Sequence, residues 1–212
     1  MPKINKKNKT LAPTIQYIES FLNGVISICK NISQQDIDET VEILFKAWFN
    51  QNNIFVMGNG GSASAAIHFA ADLNNVTTKV QGVHPVHALS LNDNIVRFSA
   101  LVNDQGWENV YIEQLKNYFK PGDIAFAISV HGGTGKDMAS AWSQNLVKAL
   151  KYAQDNGGKA LGLAGFDGGI MKKECDACIV IPYETTPHVE GFYGIIHHLI
   201  TERLTEKIKQ SA

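Results

Sequence analysis

The chain has 212 residues, 44% of them hydrophobic and 18% charged, with 19 Lys and Arg against 20 Asp and Glu. A chain of that length buries a sizeable core without staples, and near-zero net charge excludes the broad basic face of a nucleic-acid partner. No apolar run approaches the roughly 20 residues that a bilayer demands, and the basic start MPKINKKNKT has no apolar stretch behind it, so a cytoplasmic protein without a membrane role is expected.

In chain order, the first periodic stretch covers 14–30, where Ile15, Ile18, Phe21, Leu22, Val25 and Ile28 recur at helical spacing. Ser33 then opens the capping pattern Ser-Gln-Gln-Asp, ahead of a second helix with Ile37, Val41, Leu44, Phe45 and Trp48 on one stripe. After Asn53 the texture changes to alternating strands and helices. Residues 54–57 read as a strand, 58–62 as a turn and 63–73 as a helix, with further strands at 86–89 and 124–128. A long helix is expected over 136–156, stopped by Gly157-Gly158. Strands at 160–164 and 177–181 precede a last helix over 189–209. The alternation predicts an α/β fold, a parallel sheet flanked by helices with ligands at the carboxyl ends of the strands. Residues 1–52 read as a helical extension suited to assembly and 53–212 as one domain.

Four segments carry chemistry. Gly58-Asn-Gly-Gly-Ser62 joins an apolar strand to a helix, where glycine amides and a helix start favour phosphate. It fits neither the dinucleotide glycine pattern nor a P-loop, and a tight turn without ligand is the alternative. Ser129-Val-His-Gly-Gly-Thr134 repeats the arrangement after another strand, although Ser and Thr there also serve as ordinary helix caps. His68 and Asp72 stand four apart on the first sheet-packing helix, which places imidazole and carboxylate on one face. Such a pair suits metal ligation or acid–base work, or is a plain surface pair. On the last helix His197-His198 lies among Ile195, Ile196 and Leu199, so one imidazole must turn toward the core or a site. Cys175-Asp-Ala-Cys178 has redox or zinc spacing, but no second pair accompanies it, and two structural thiols are expected.

Together with VNDQGWE at 102–108, LAGFDGG at 163–169 and VEGFYGIIHHLI at 189–200, these segments resemble the sugar isomerase (SIS) domain family along essentially the whole chain, and within it the phosphoheptose isomerases. The resemblance implies a three-layer, doubly wound SIS fold and isomerisation of sedoheptulose 7-phosphate to the aldoheptose 7-phosphate through an enediol. It implies Asp72 as general base and His197 as general acid. Asn59, Gly60, Ser62, Asp93, Ser129, His131 and Thr134 stand at substrate-contact positions, and His68, Asp72 and His197 at metal positions, with zinc as the metal. It also implies a homotetramer.

The chain departs from the family pattern at four places. Asp72 stands for the usual glutamate, Val189 for a glutamine ligand that Glu190, His188 or His198 would have to replace, and Val130-His131 for Thr-Ser. Extra sequence around Trp142 follows Thr134. A non-catalytic SIS module, either a sugar-phosphate sensor or a tetrameric adaptor, is the rival expectation.

Overall fold

Near-continuous aliphatic runs make strands that must be covered on both faces. Five of them form one parallel sheet in the order β2-β1-β3-β4-β5: β1 (Asn53–Gly58), β2 (His87–Ser90), β3 (Ile124–Ser129), β4 (Lys159–Gly165) and β5 (Ala177–Ile181). The structure, a computed structural model, describes residues 13–133 and 143–211. Ile54 and Ile124 open the central register and Gly58 faces Ile128 at its end, so the loops after β1 and β3 leave side by side.

Because side chains alternate across each strand, the sheet divides the core in two. One layer joins Ile54, Val56, Phe126, Ile128, Leu161 and Ile179 to α2 (Gln34–Phe49), α3 (Gly61–Asn75) and α8 (Thr186–Ser211). The other joins Phe55, Met57, Ala125 and Ala160 to α6 (Gln144–Asp155) and to Tyr111 and Leu115. The expected three-layer α/β architecture is therefore present. Ser33 caps α2 by accepting from the Asp36 N–H at 3.1 Å, as the capping pattern predicts.

The two leading helices differ. α2 buries Ile37, Val41, Leu44, Ala47 and Trp48 in the core, whereas α1 (Thr14–Asn31) buries only Gly24 and Ile28. α1 keeps Ile15, Tyr17, Ile18, Leu22 and Ile26 exposed. Short helices at α4 (Ile95–Gln105), α5 (Ile112–Tyr118) and α7 (Met171–Glu174) escape the periodicity reading, since one to three turns leave too few repeats to count. The expected helix over 136–156 is described from Gln144 onward, and 134–142 lie outside the described residues.

Candidate functional site

β2 lies on one side of β1 and β3 on the other, which opens a crevice where the chain reverses its winding. Two glycine loops line it. Gly60 has φ 57° and ψ −124°, a conformation costly for any residue with a Cβ, and a Cβ there would meet nothing within 4 Å. Ser62 N–H bonds Asn59 O and Ala63 N–H bonds Gly60 O. Among the described residues this leaves the Gly60 and Gly61 N–H groups at the start of α3 without partners. Ser62 and Ser129 are buried at the crevice. The Ser62 hydroxyl lies 3.4 Å from that of Tyr193, and the His131 ring centroid lies 4.4 Å from that of Phe166. Asn59, Ser62, Ser129, His131, Ser143 and Glu190 line a cavity of about 120 Å³. Both predicted phosphate loops thus converge. Thr134 and Trp142 lie outside the described residues.

The first loop is held by a polar network that sequence reasoning misses. Asn92 accepts from Gly58 N–H at 3.2 Å and donates to Gly58 O at 3.0 Å and to the Tyr111 hydroxyl at 2.9 Å. Tyr111, fully buried, donates to Gly58 O, and burial pushes its phenol well above the ordinary tyrosine range. Asn59 and Asn145 exchange amide bonds, at 2.9 Å to Asn145 Oδ1 and 3.0 Å to Asn59 Oδ1. The Asn59 amide, expected to touch substrate, is therefore engaged in tying the first loop to the start of α6. Asp93 is exposed, and its neighbour Asn92 is the residue that faces the loop. No periodic or spacing signal marks Asn92, Tyr111 or Asn145.

The second constellation lies between α3 and α8. Asp72 Oδ2 is 3.3 Å from His68 Nε2 and 3.5 Å from His198 Nδ1. His68, Asp72 and His198 each offer one ligand atom, all within 4.8 Å of one another. Two imidazoles and a carboxylate suit a divalent metal such as zinc. Beside them a cleft of about 470 Å³ is lined by Asp72, Asn75, Thr78, His198, Glu202 and Lys209.

His197, expected among the ligands, takes another position. It is 1% exposed and stacks on Phe69 at 4.6 Å, with its ring centroid 6.3 Å from that of His68. The physical reason is helical phase: successive residues project about 100° apart, so when His197 faces the core His198 faces the cleft. Asp72 Oδ2 and both His197 nitrogens are the buried side-chain polar atoms without a hydrogen bond among the described residues. Burial, then the charges of His68 and His198, lower the His197 pKa to about 3.

The other candidate replacements fall elsewhere. Val189 is buried against Gly165, where a Cβ would lie 2.5 Å from its methyl groups. Glu190 lines the strand-end cavity. His188 pairs with the Thr185 hydroxyl at 2.6 Å and Phe21 O at 3.0 Å and stacks on Phe21, fastening α1 to α8. Cys178 is buried, its thiol pushed up to about 12 chiefly by burial, and burial raises Cys175 as well, which agrees with structural thiols.

Comparison with known proteins agrees with this geometry. The SIS domain family model matches residues 16–165. Lincomycin biosynthesis protein LmbN of Streptomyces lincolnensis is 34% identical over 88% of this chain and 68% of its own. Phosphoheptose isomerase of Helicobacter pylori strain 26695 is 34% identical over 80% of this chain and 82% of its own. The structure of phosphoheptose isomerase from Francisella tularensis superposes with a TM-score of 0.78 at 21% identity, covering 91% of this chain and 96% of that one, which shows the shared fold. Among the described residues no helix is long and apolar enough to cross a membrane. The chain belongs to the SIS domain family and, within it, to the phosphoheptose isomerases, which makes it a sugar-phosphate isomerase.

Proposed function

We propose that the protein interconverts sedoheptulose 7-phosphate and the aldoheptose 7-phosphate by moving a proton between C1 and C2 through an enediol. The observation that carries this reading is the grouping of orphaned polar atoms. Among the described residues Asp72 Oδ2 and both nitrogens of His197 make no hydrogen bond, and Asp72 has only the ion-pair contacts to His68 and His198 beside it. Buried polar groups without partners are rare in native proteins and mark a place where something else supplies the bonds.

Asp72 is the base. It takes a proton from C1 of the ketose and returns it to C2, and its carboxylate, one methylene shorter than glutamate, is steadied between His68 and His198. His197, kept neutral by burial, moves protons between the two sugar oxygens as a hydrogen-bonding imidazole, a role that needs no imidazolium. His68, Asp72 and His198 would hold zinc, whose chemistry there is to stabilise negative charge on the carbonyl oxygen. Ser129, His131 and Thr134 hold and orient the phosphorylated end of the sugar, which supplies binding energy far from the reacting carbons, while Ser62 and the Gly60 and Gly61 amides at the first loop meet the sugar chain. Asn59 acts through its hold on the first loop, and Asp93, next to Asn92, contacts the sugar chain.

The exposed apolar residues of α1 support a homotetramer built on that helix, in a protein of the cytoplasm. Light scattering on the purified chain is expected to give four copies. The function is tested by following sedoheptulose 7-phosphate with metal-stripped protein, then with zinc restored, against fructose 6-phosphate as control. Turnover of the heptulose alone, rising with zinc, is the expected result. Folded protein that turns over neither sugar overturns the reading in favour of a binding module.

A further inference from the structure

The strand-end cavity contains one group that the phosphate-binding role does not explain. Glu190, on the first turns of α8, lines it together with Ser62, Ser129 and His131. Its carboxylate stands against the start of α3: a Cβ built on Gly61 would lie 2.4 Å from Glu190 Oε1. Among the described residues this carboxylate has no hydrogen bond and no ion pair, although the Gly60 and Gly61 amides beside it also lack partners. An ionised carboxylate accepts hydrogen bonds and donates none. A phosphate dianion likewise has none to donate, whereas each sugar hydroxyl does. The helix dipole makes the start of α3 a favourable place for one negative charge, and Glu190 already brings one there.

Resting on the sugar-phosphate reading above, we infer that Glu190 is a specificity residue. It turns the phosphoryl group away from the start of α3 and toward the Ser129–Gly133 side of the cavity, and it accepts hydrogen bonds from the hydroxyl groups of the sugar chain. A carboxylate in this place separates the two ends of the ligand by chemistry, since only the polyol can donate to it. Gly61 is part of the device, because any side chain there would push the carboxylate out of the cavity.

The test is Glu190→Gln, which keeps the shape and removes the charge, with Gly61→Ala as an independent way to displace the carboxylate. Glu190 is exposed, so its exchange leaves the core intact. Calorimetry with inorganic phosphate is expected to show about tenfold tighter binding in both variants, because a like charge is removed in the first and pushed out of the cavity in the second. KM for sedoheptulose 7-phosphate is expected to rise about tenfold in both, because a charged acceptor has gone. These opposite signs are what a merely structural role cannot produce. Phosphate binding that is unchanged or weaker in Glu190→Gln overturns the inference, as does an unchanged KM. If the wild-type protein turns over no heptulose phosphate, the functional reading falls instead, and tighter phosphate binding in both variants still upholds the exclusion of phosphate by Glu190.

Discussion

The two constellations of this molecule are opposites in how their polar groups are satisfied. At the strand ends Asn59, Asn92, Tyr111 and Asn145 bond one another, so the glycine loop is set before any ligand arrives. Between α3 and α8, Asp72 and His197 present buried atoms that make no hydrogen bond among the described residues. A closed network makes a rigid mould, and an open one makes a socket whose bonds are completed from outside. On the proposed function, the first region is the binding end of the site and the second its reacting end.

The largest break in that contrast is expected from Asp72→Asn. Loss of the base should lower turnover about a thousandfold with the fold intact by circular dichroism. Retention of a tenth of the activity would remove Asp72 from its role. Next come the paired histidines. His198→Ala should weaken zinc binding at least about a hundredfold while shifting thermal stability by less than about 0.5 kcal/mol, since His198 is exposed. His197→Ala should instead cost about 2–3 kcal/mol of stability by opening a cavity beside Phe69. Equal zinc loss in both variants would erase the distinction between them.

A pH series sharpens the comparison further. The folded-state pKa of His197, about 3, lies below its ordinary value of 6.5, so the unfolded chain binds the extra proton. Stability should be full above pH 6.5 and fall by roughly 1 kcal/mol per unit as pH drops toward 3, and His197→Leu should flatten that part of the curve. An identical slope in the variant would show that other groups govern acid unfolding. The smallest effect is expected at the mould. Tyr111→Phe should cost about 1–2 kcal/mol in chemical denaturation, because the hydroxyl it removes serves Gly58 O and Asn92. No loss would mean that Asn92 alone holds the loop.

Much of this was legible from residue order. Alternating strand and helix texture gives the layers, glycine loops after Met57 and Ile128 give the crevice, and His68 with Asp72 gives one face of α3. What escaped is information that order does not contain. The Asn59–Asn145 pair spans 86 positions, and a neutral amide gives no local sign of its partner. The choice between His197 and His198 depends on rotating α8 by one residue, a phase fixed by Phe69 and the sheet. Glu190, on the same helix, lies near the opposite loop for the same reason.

The strand order carries a kinetic consequence. With β1 paired to β3, the two halves of the strand-end cavity, near residues 60 and 130, meet only after the long crossover between them has folded back. Such non-local pairing is slow to form, because loop closure must be completed before any contact rewards it. During refolding, affinity for phosphate should therefore emerge late and in one step with the central sheet, so that ligand capture itself marks the moment at which this domain becomes native.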